Sequence, residues 1–270
     1  MIPKIIHYCW FGGNPLPELA QRCIESWKKF LPDCEIIEWN EVNYDVRKIP
    51  YIAEAYDEKK YAFVSDYARF DILYEHGGIY FDTDVEVIRD MSPILERGAF
   101  AGVESHGNGA ALAAGLGISS PAASPIFAEI LESYKVEHFR NEDGSLNLKT
   151  VVARVSEIFE KYGLTDKNEI QEVAGVMVYP PEYFCPKDYY THRLKITNNT
   201  YCIHHFDGSW VDDFGKKYAK VKVNLCRIFG VKLGTKVALV WFTFASFKQK
   251  GFFSTVKMIF SFSKKKLRRK

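Results

Sequence analysis

SDYARFDILYEHGGIYFDTDVEV, residues 65–87, is the stretch on which the fold assignment turns. Ser65 is placed to cap a helix over about 66–75, and Gly77-Gly78 marks its end, where left-handed backbone suits glycine. The apolar residues 79–81 then read as a strand that delivers Asp82-Thr83-Asp84. Residues two apart on a strand share a face, so the two carboxylates are expected in one pocket with Thr83 turned away. Paired hard oxygen ligands at a strand end suit Mg2+ or Mn2+, and such a cation can neutralise a departing diphosphate.

Outward from this stretch, helix and strand patterns alternate. Residues 2–10 are rich in Ile and aromatics, as a strand buried on both faces would be, and Gly12-Gly13-Asn14-Pro15 turns the chain. Residues 18–30 carry apolar side chains at helical spacing, stopped by Leu31-Pro32, and 35–39 read as the next strand. Residues 125–134 and 150–162 follow as helices, and 176–179 and 201–205 as late strands. The Gly-, Ala- and Ser-rich stretch 98–125 predicts flexible loops. The order implies an α/β sheet with ligands gathered at strand ends, where the acidic pair falls.

A D-x-D pair is weak on its own, since a chain of this acidity holds about one by chance. The apolar strand and Gly-Gly before it raise its weight. An EF-hand loop starting at Asp82 would need Gly and Glu where Val87 and Pro93 stand, which excludes that calcium site. A phosphohydrolase with an aspartate nucleophile stays as a rival, although no downstream Lys and acidic pair supports it. Asp66 and Arg69 lie three apart on one helix face and could grip ribose or phosphate oxygens, or simply pair with each other. Trp10 ends the first strand, where it could stack on a nucleobase or fill core. In His204-His205-Phe206-Asp207-Gly208-Ser209-Trp210 one imidazole could complete a metal's coordination, or both could be surface residues beside a packed Trp.

At 270 residues, 47% apolar and 15% aromatic, the chain has ample material for a buried core. Its six cysteines show neither zinc-finger nor C-x-x-C spacing, which predicts reduced thiols in a cytosolic compartment. The N-terminus lacks the pattern of a secretory signal, and no run of 18 apolar residues predicts a spanning helix. The net charge of +2 conceals a division: residues 1–213 sum to −14, whereas after Asp213 there are 16 Lys or Arg and no acid.

Together IPKIIHYCWFGG at the start, residues 65–87, and YFCP with YCIHHFDGSW near the end resemble the D-x-D glycosyltransferases of family 32. That family includes capsular polysaccharide synthesis proteins, fungal mannosyltransferases and glucosylating toxins, and the capsular type looks closest. The resemblance implies a GT-A fold, a nucleotide-sugar donor (UDP-sugar favoured), Mn2+ or Mg2+, and transfer to a saccharide acceptor with retention of anomeric configuration. It also implies roles. Trp10 stacks on the base, Asp66 and Arg69 contact donor-sugar hydroxyls, Tyr80 and Asp82 touch the nucleotide, and Asn43 is a further donor contact. Asp82 and Asp84 are expected at the metal with His205, and Trp210 at the glycosidic oxygen or β-phosphate. A non-enzymatic membrane-binding module is the alternative outside enzymes.

Residues 1–213 are thus expected to form the catalytic domain and 214–270 a basic amphipathic extension. Tyr218, Val221, Leu225, Ile228 and Phe229 share a helical face, and Phe252, Phe253, Val256, Ile259 and Phe260 repeat it. Basic amphipathic helices with aromatic residues bind anionic bilayers, which predicts a peripheral protein on the cytoplasmic face of the cell membrane with a lipid-linked acceptor, in surface polysaccharide synthesis. Nucleic acid does not fit the net acidic remainder of the chain.

Overall fold

The computed structural model describes residues 2–105, 110–208, 211 and 213–250. The strands are β1 (Ile5–Cys9), β2 (Glu35–Trp39), β3 (Gly78–Tyr80), β4 (Val85–Val87), β5 (Phe100–Ser105), β6 (Ala110–Leu112), β7 (Ile118–Ser120), β8 (Gln171–Val173), β9 (Val176–Tyr179) and β10 (Cys202–His204). The helices are α1 (Glu18–Phe30), α2 (Pro50–Asp57), α3 (Tyr61–His76), α4 (Ser92–Leu95), α5 (Pro125–Lys135), α6 (Val151–Lys161), α7 (Pro181–Phe184) and α8 (Asp213–Lys250). The described residues divide into two compact units, 2–189 with 193–208, and 190–192 with 211–250.

In the first unit the main sheet runs β2-β1-β3-β7-β5-β9-β8, with β6 on β5. β1 is parallel to both β2 and β3, so their carboxyl ends, at Trp39, Cys9 and Tyr80, open on one rim. Tyr51, Tyr67, Phe70 and Phe127 of α2, α3 and α5 and Phe159 of α6 cover one face. Trp27 of α1, Ile94 of α4 and Phe184 of α7 cover the other, which gives the α/β layering expected from the sequence. Close approach explains one glycine: a Cβ on Gly78 would sit 2.6 Å from the Ile5 carbonyl of the neighbouring strand.

Several expectations are corrected. α3 starts at Tyr61, and Ser65 lies inside it, its hydroxyl donating to the Tyr61 carbonyl rather than capping. The extra turn forms because Tyr61, Phe63 and Val64 have apolar neighbours to bury against, a tertiary reward that no cap signal reports. The described residues of the stretch 98–125 are not a set of flexible loops. They supply β5 and β7, which are buried and lie in the middle of the sheet, because small residues allow close strand and side-chain approach there. Asp82-Thr83-Asp84 is a turn, not strand, with the Val85 amide donating to the Asp82 carbonyl at 3.0 Å.

After that turn β4 leaves the main sheet and pairs antiparallel with β10, placing His204 opposite Val85. α1 anchors β4 through two bonds: Trp27 Nε1 donates to the Val85 carbonyl at 2.8 Å, and the Val87 amide donates to Ser26 Oγ at 2.9 Å. The D-x-D turn is thereby fixed at both ends.

In the second unit, α8 is long and apolar enough over Asp213–Phe247 to cross a membrane by length and composition alone, unlike the sequence expectation. It is broken, however, at Gly230, whose φ of 74° and ψ of 164° are not helical. Residues 213–229 and 231–250 form two arms folded back on each other. Phe214 and Tyr218 meet Phe242 at ring-centroid distances of 5.2 and 4.5 Å, and Cys226 Sγ lies 3.6 Å from Thr235 Oγ1. The expected repeat at Phe252 to Phe260 lies outside the described residues.

Candidate active site

Arg69 is the hub of the first half of the site. α3 carries it inward to 4% exposure, and its Nη2 lies 2.9 Å from Asp66 Oδ1 and 3.3 Å from Asp82 Oδ1. Its guanidinium stacks 4.9 Å from the Tyr80 ring centroid, and Tyr80 donates its hydroxyl to Asp82 Oδ1 at 3.1 Å. Burial opposes the Arg69 charge, but the surrounding carboxylates outweigh it and hold its pKa raised. Burial pushes Asp66 up to about 6 despite the pull of Arg69. Asp66, Arg69, Tyr80 and Asp82 are thus one hydrogen-bonded group.

Gly115 makes room for it. The Asp82 amide donates to the Gly115 carbonyl at 3.0 Å, and a Cβ on Gly115 would lie 1.8 Å from Asp82 Oδ2. No motif in the sequence singles this glycine out; it stands in a stretch read as loop.

Asp84 anchors the second half. Its Oδ2 accepts from the Asp207 amide at 2.9 Å, its carbonyl accepts from the His205 amide at 3.0 Å, and its Oδ1 lies 3.3 Å from His204 Nε2. Burial would raise the Asp84 carboxyl, yet the His204 charge and hydrogen bonds from His204 and the Asp207 amide hold it down, to about 2. His204 is raised in turn: burial acts against its charge, and Asp84 overcomes it.

His204, not His205, is therefore the imidazole at the D-x-D turn. His205 instead places Nε2 2.8 Å from Glu86 Oε2. The reason is strand register: pairing His204 with Val85 brings it next to Asp84, and the following residue turns to the opposite side. Glu104 and Cys185 approach His204 so that one ligand atom from each lies within 4.8 Å of the others. His204 Nδ1 is buried with no hydrogen-bond partner.

The other expected donor contacts lie just after β1 and β2. Trp10 stands at the end of β1, half-buried, its Nε1 donating to the Asn14 carbonyl at 2.6 Å. Asn43 is exposed, and its side chain closes its own turn, accepting from the Asn40 amide and donating to the Glu38 carbonyl. Trp210 lies outside the described residues.

Asp82 and Asp84 offer two carboxylates to a divalent cation, and the His204 imidazole would join them only on giving up the proton that its pairing with Asp84 favours. The site is thus a carboxylate turn at the rim of the parallel strands of an α/β sheet, held by a buried arginine. Residues 17–101 match the family described as "Glycosyltransferase sugar-binding region containing DXD motif".

Two curated relatives are the Inositol phosphoceramide mannosyltransferases 3 and 1 of Schizosaccharomyces pombe. They are 35% identical over 98 residues and 29% identical over 110, or 35% and 37% of this chain. The matched segments span only 27% and 33% of those proteins. Among solved structures, "PaToxG Glycosyltransferase" shares 19% identity at a TM-score of 0.46, covering 59% of this chain and 69% of that one.

Proposed function

We propose that this chain is a metal-dependent glycosyltransferase that moves a sugar from a nucleoside-diphosphate donor to a saccharide acceptor. The observation that carries the reading is the pairing of Asp84 with His204 next to the Arg69-held Asp82 at the carboxyl rim of the sheet. Asp82, Asp84 and His204 would hold Mn2+ or Mg2+, and the cation would neutralise charge on the departing diphosphate.

The chain's own groups do the rest. Arg69 and Tyr80 fix the Asp82 carboxylate, so that no reorganisation is needed as leaving-group charge develops. On the family resemblance, Asp66 and Arg69 contact donor-sugar hydroxyls and Trp10 stacks on the base. Asp82 and Asp84 serve as electrostatic stabilisers, not as general bases. We assign retention of configuration, a UDP-sugar donor and a role for Trp210 on the family resemblance. The names of the fission-yeast relatives, which couple mannose to a ceramide lipid, favour including a mannosyl donor and support a lipid-linked acceptor. The basic extension supports work at the inner face of the cell membrane, in surface polysaccharide synthesis.

A panel of nucleotide sugars with Mn2+ or Mg2+ tests the reading by release of nucleoside diphosphate. Release that needs metal and is lost in Asp84→Ala supports it. Absence of release from every donor, or release of inorganic phosphate from a simple phosphomonoester, would overturn it in favour of the phosphohydrolase.

A further inference from the structure

Leu233, Val237, Val240, Phe244 and Phe247 recur at steps of four, three, four and three residues, the spacing of a single helix face. All five are exposed, from 38% for Val237 to 70% for Val240. The opposite face of the same arm is Gly234, Ala238 and Ser246, which are buried. That buried face meets the first arm so closely that a Cβ on Gly234 would lie 2.6 Å from the Cys226 Cα. The second arm therefore packs mainly small residues, together with Phe242, against the first arm and turns this row of large apolar ones outward. A soluble two-helix hairpin would be patterned the other way round.

Charge identifies what covers the stripe. Lys232 and Lys236 are exposed on the same arm, Lys216, Lys217, Lys220 and Arg227 on the other, and no acidic residue follows Asp213. A second copy seated on the stripe would bring like charges together, whereas an anionic bilayer offers both an apolar layer and the opposite charge. Length decides how the arm sits. Between Lys236 and Lys248 there are 11 uncharged residues, about 16 Å of helix, roughly half the ~30 Å of a hydrocarbon core. The break at Gly230 returns the chain towards its starting end, so neither arm continues into a full span.

We propose that α8 is an in-plane membrane seat. The arm 231–250 lies in the headgroup boundary of an anionic leaflet with the Leu233–Phe247 stripe in the acyl region, and the arm 213–229 braces it from behind. The inference specifies the surface by which the protein meets a bilayer, and it rests on the proposed function only for its purpose, bringing the site to a lipid-linked acceptor.

The test is co-sedimentation of the full chain with vesicles of phosphatidylcholine alone or mixed with phosphatidylglycerol, at low and high salt. Wild type should partition to the mixed vesicles, less at high salt, and Val240→Glu/Phe244→Glu should lower partition at least tenfold. Lys232→Glu/Lys236→Glu should lower it on the anionic vesicles alone. Because the first pair is exposed, its helical circular dichroism should match wild type; if it does not, Val240→Ser/Phe244→Ser repeats the measurement with smaller changes. Unchanged partition of the folded double variant overturns the proposal, as does equal binding of wild type to neutral vesicles. Loss of self-association without loss of partition assigns the stripe to a second copy and also overturns it. Donor turnover in vesicle-free solution is read in parallel, so a failed glycosyltransferase reading shows there while the partition result stands.

Discussion

His204 Nε2 stands 3.3 Å from Asp84 Oδ1, whereas the adjacent His205 faces Glu86 across 2.8 Å. Two neighbouring imidazoles are thereby assigned to different work. His204→Ala should lower metal-dependent donor turnover about 100-fold and shift the Mn2+ requirement to higher concentration. His205→Ala, which loses a half-exposed pair with Glu86, should stay within about twofold. The reverse order in a Mn2+ titration of both variants would remove His204 from the site.

Gly115 is a positioning residue for Asp82. In Gly115→Ala the new Cβ meets the Asp82 carboxylate, which must shift against its bonds to Arg69 and Tyr80, a side-chain adjustment that leaves the sheet in place. The catalytic cost is larger, since misplacement by about 1 Å can lower a rate about 100-fold. We expect such a loss in turnover with a Tm within a few degrees of wild type. An active Gly115→Ala enzyme would show that Asp82 does not need the geometry described.

Arg69 is buried between the mostly enclosed Asp66 and the partly exposed Asp82, so removing it leaves the Asp66 charge without its partner. Arg69→Met should destabilise by about 3 kcal/mol in urea unfolding. Asp66→Asn placed on that background should recover part of the loss, because it removes that stranded charge. Additive destabilisation by the two changes would mean that Asp66 and Arg69 are not coupled.

His7 predicts a pH dependence of stability. It is buried between two strands, with Nε2 bonded to the Gly77 carbonyl at 2.9 Å and Nδ1 accepting from Trp39 Nε1 at 3.0 Å. Burial depresses its pKa to about 4, against the raising effect of the Gly77 bond. The unfolded chain binds this proton near pH 6.5, so stability is complete above that pH and falls as pH drops towards 4, by at most roughly 3 kcal/mol. Tm measured across this window should decline in wild type, and the decline should be shallower in His7→Gln. Parallel profiles would count against His7 as the origin.

The sequence by itself determined the alternation of elements, because apolar periodicity and glycine punctuation are local. α1, β2 and the C-terminal end of α3 fall where the pattern puts them. Within residues 65–87 spacing singles out Asp66, Arg69 and Asp82, and the family resemblance Tyr80, and the four side chains meet in the structure. Helical spacing and a strand-to-turn boundary are enough to bring such near neighbours together.

Tertiary structure alone decided the partners that come from far along the chain. Choosing His204 over His205 needs the register of β10 on β4, a contact across more than a hundred residues that no local pattern encodes. Gly115 is recognisable only once β7 stands beside β3 and carries its neighbouring turn to Asp82. The same holds for α8, where composition shows a long apolar helix, but the non-helical backbone at Gly230 and the close packing at Gly234 turn it into a hairpin. Periodicity reports which face of one element is apolar; only the packed chain specifies what lies against it.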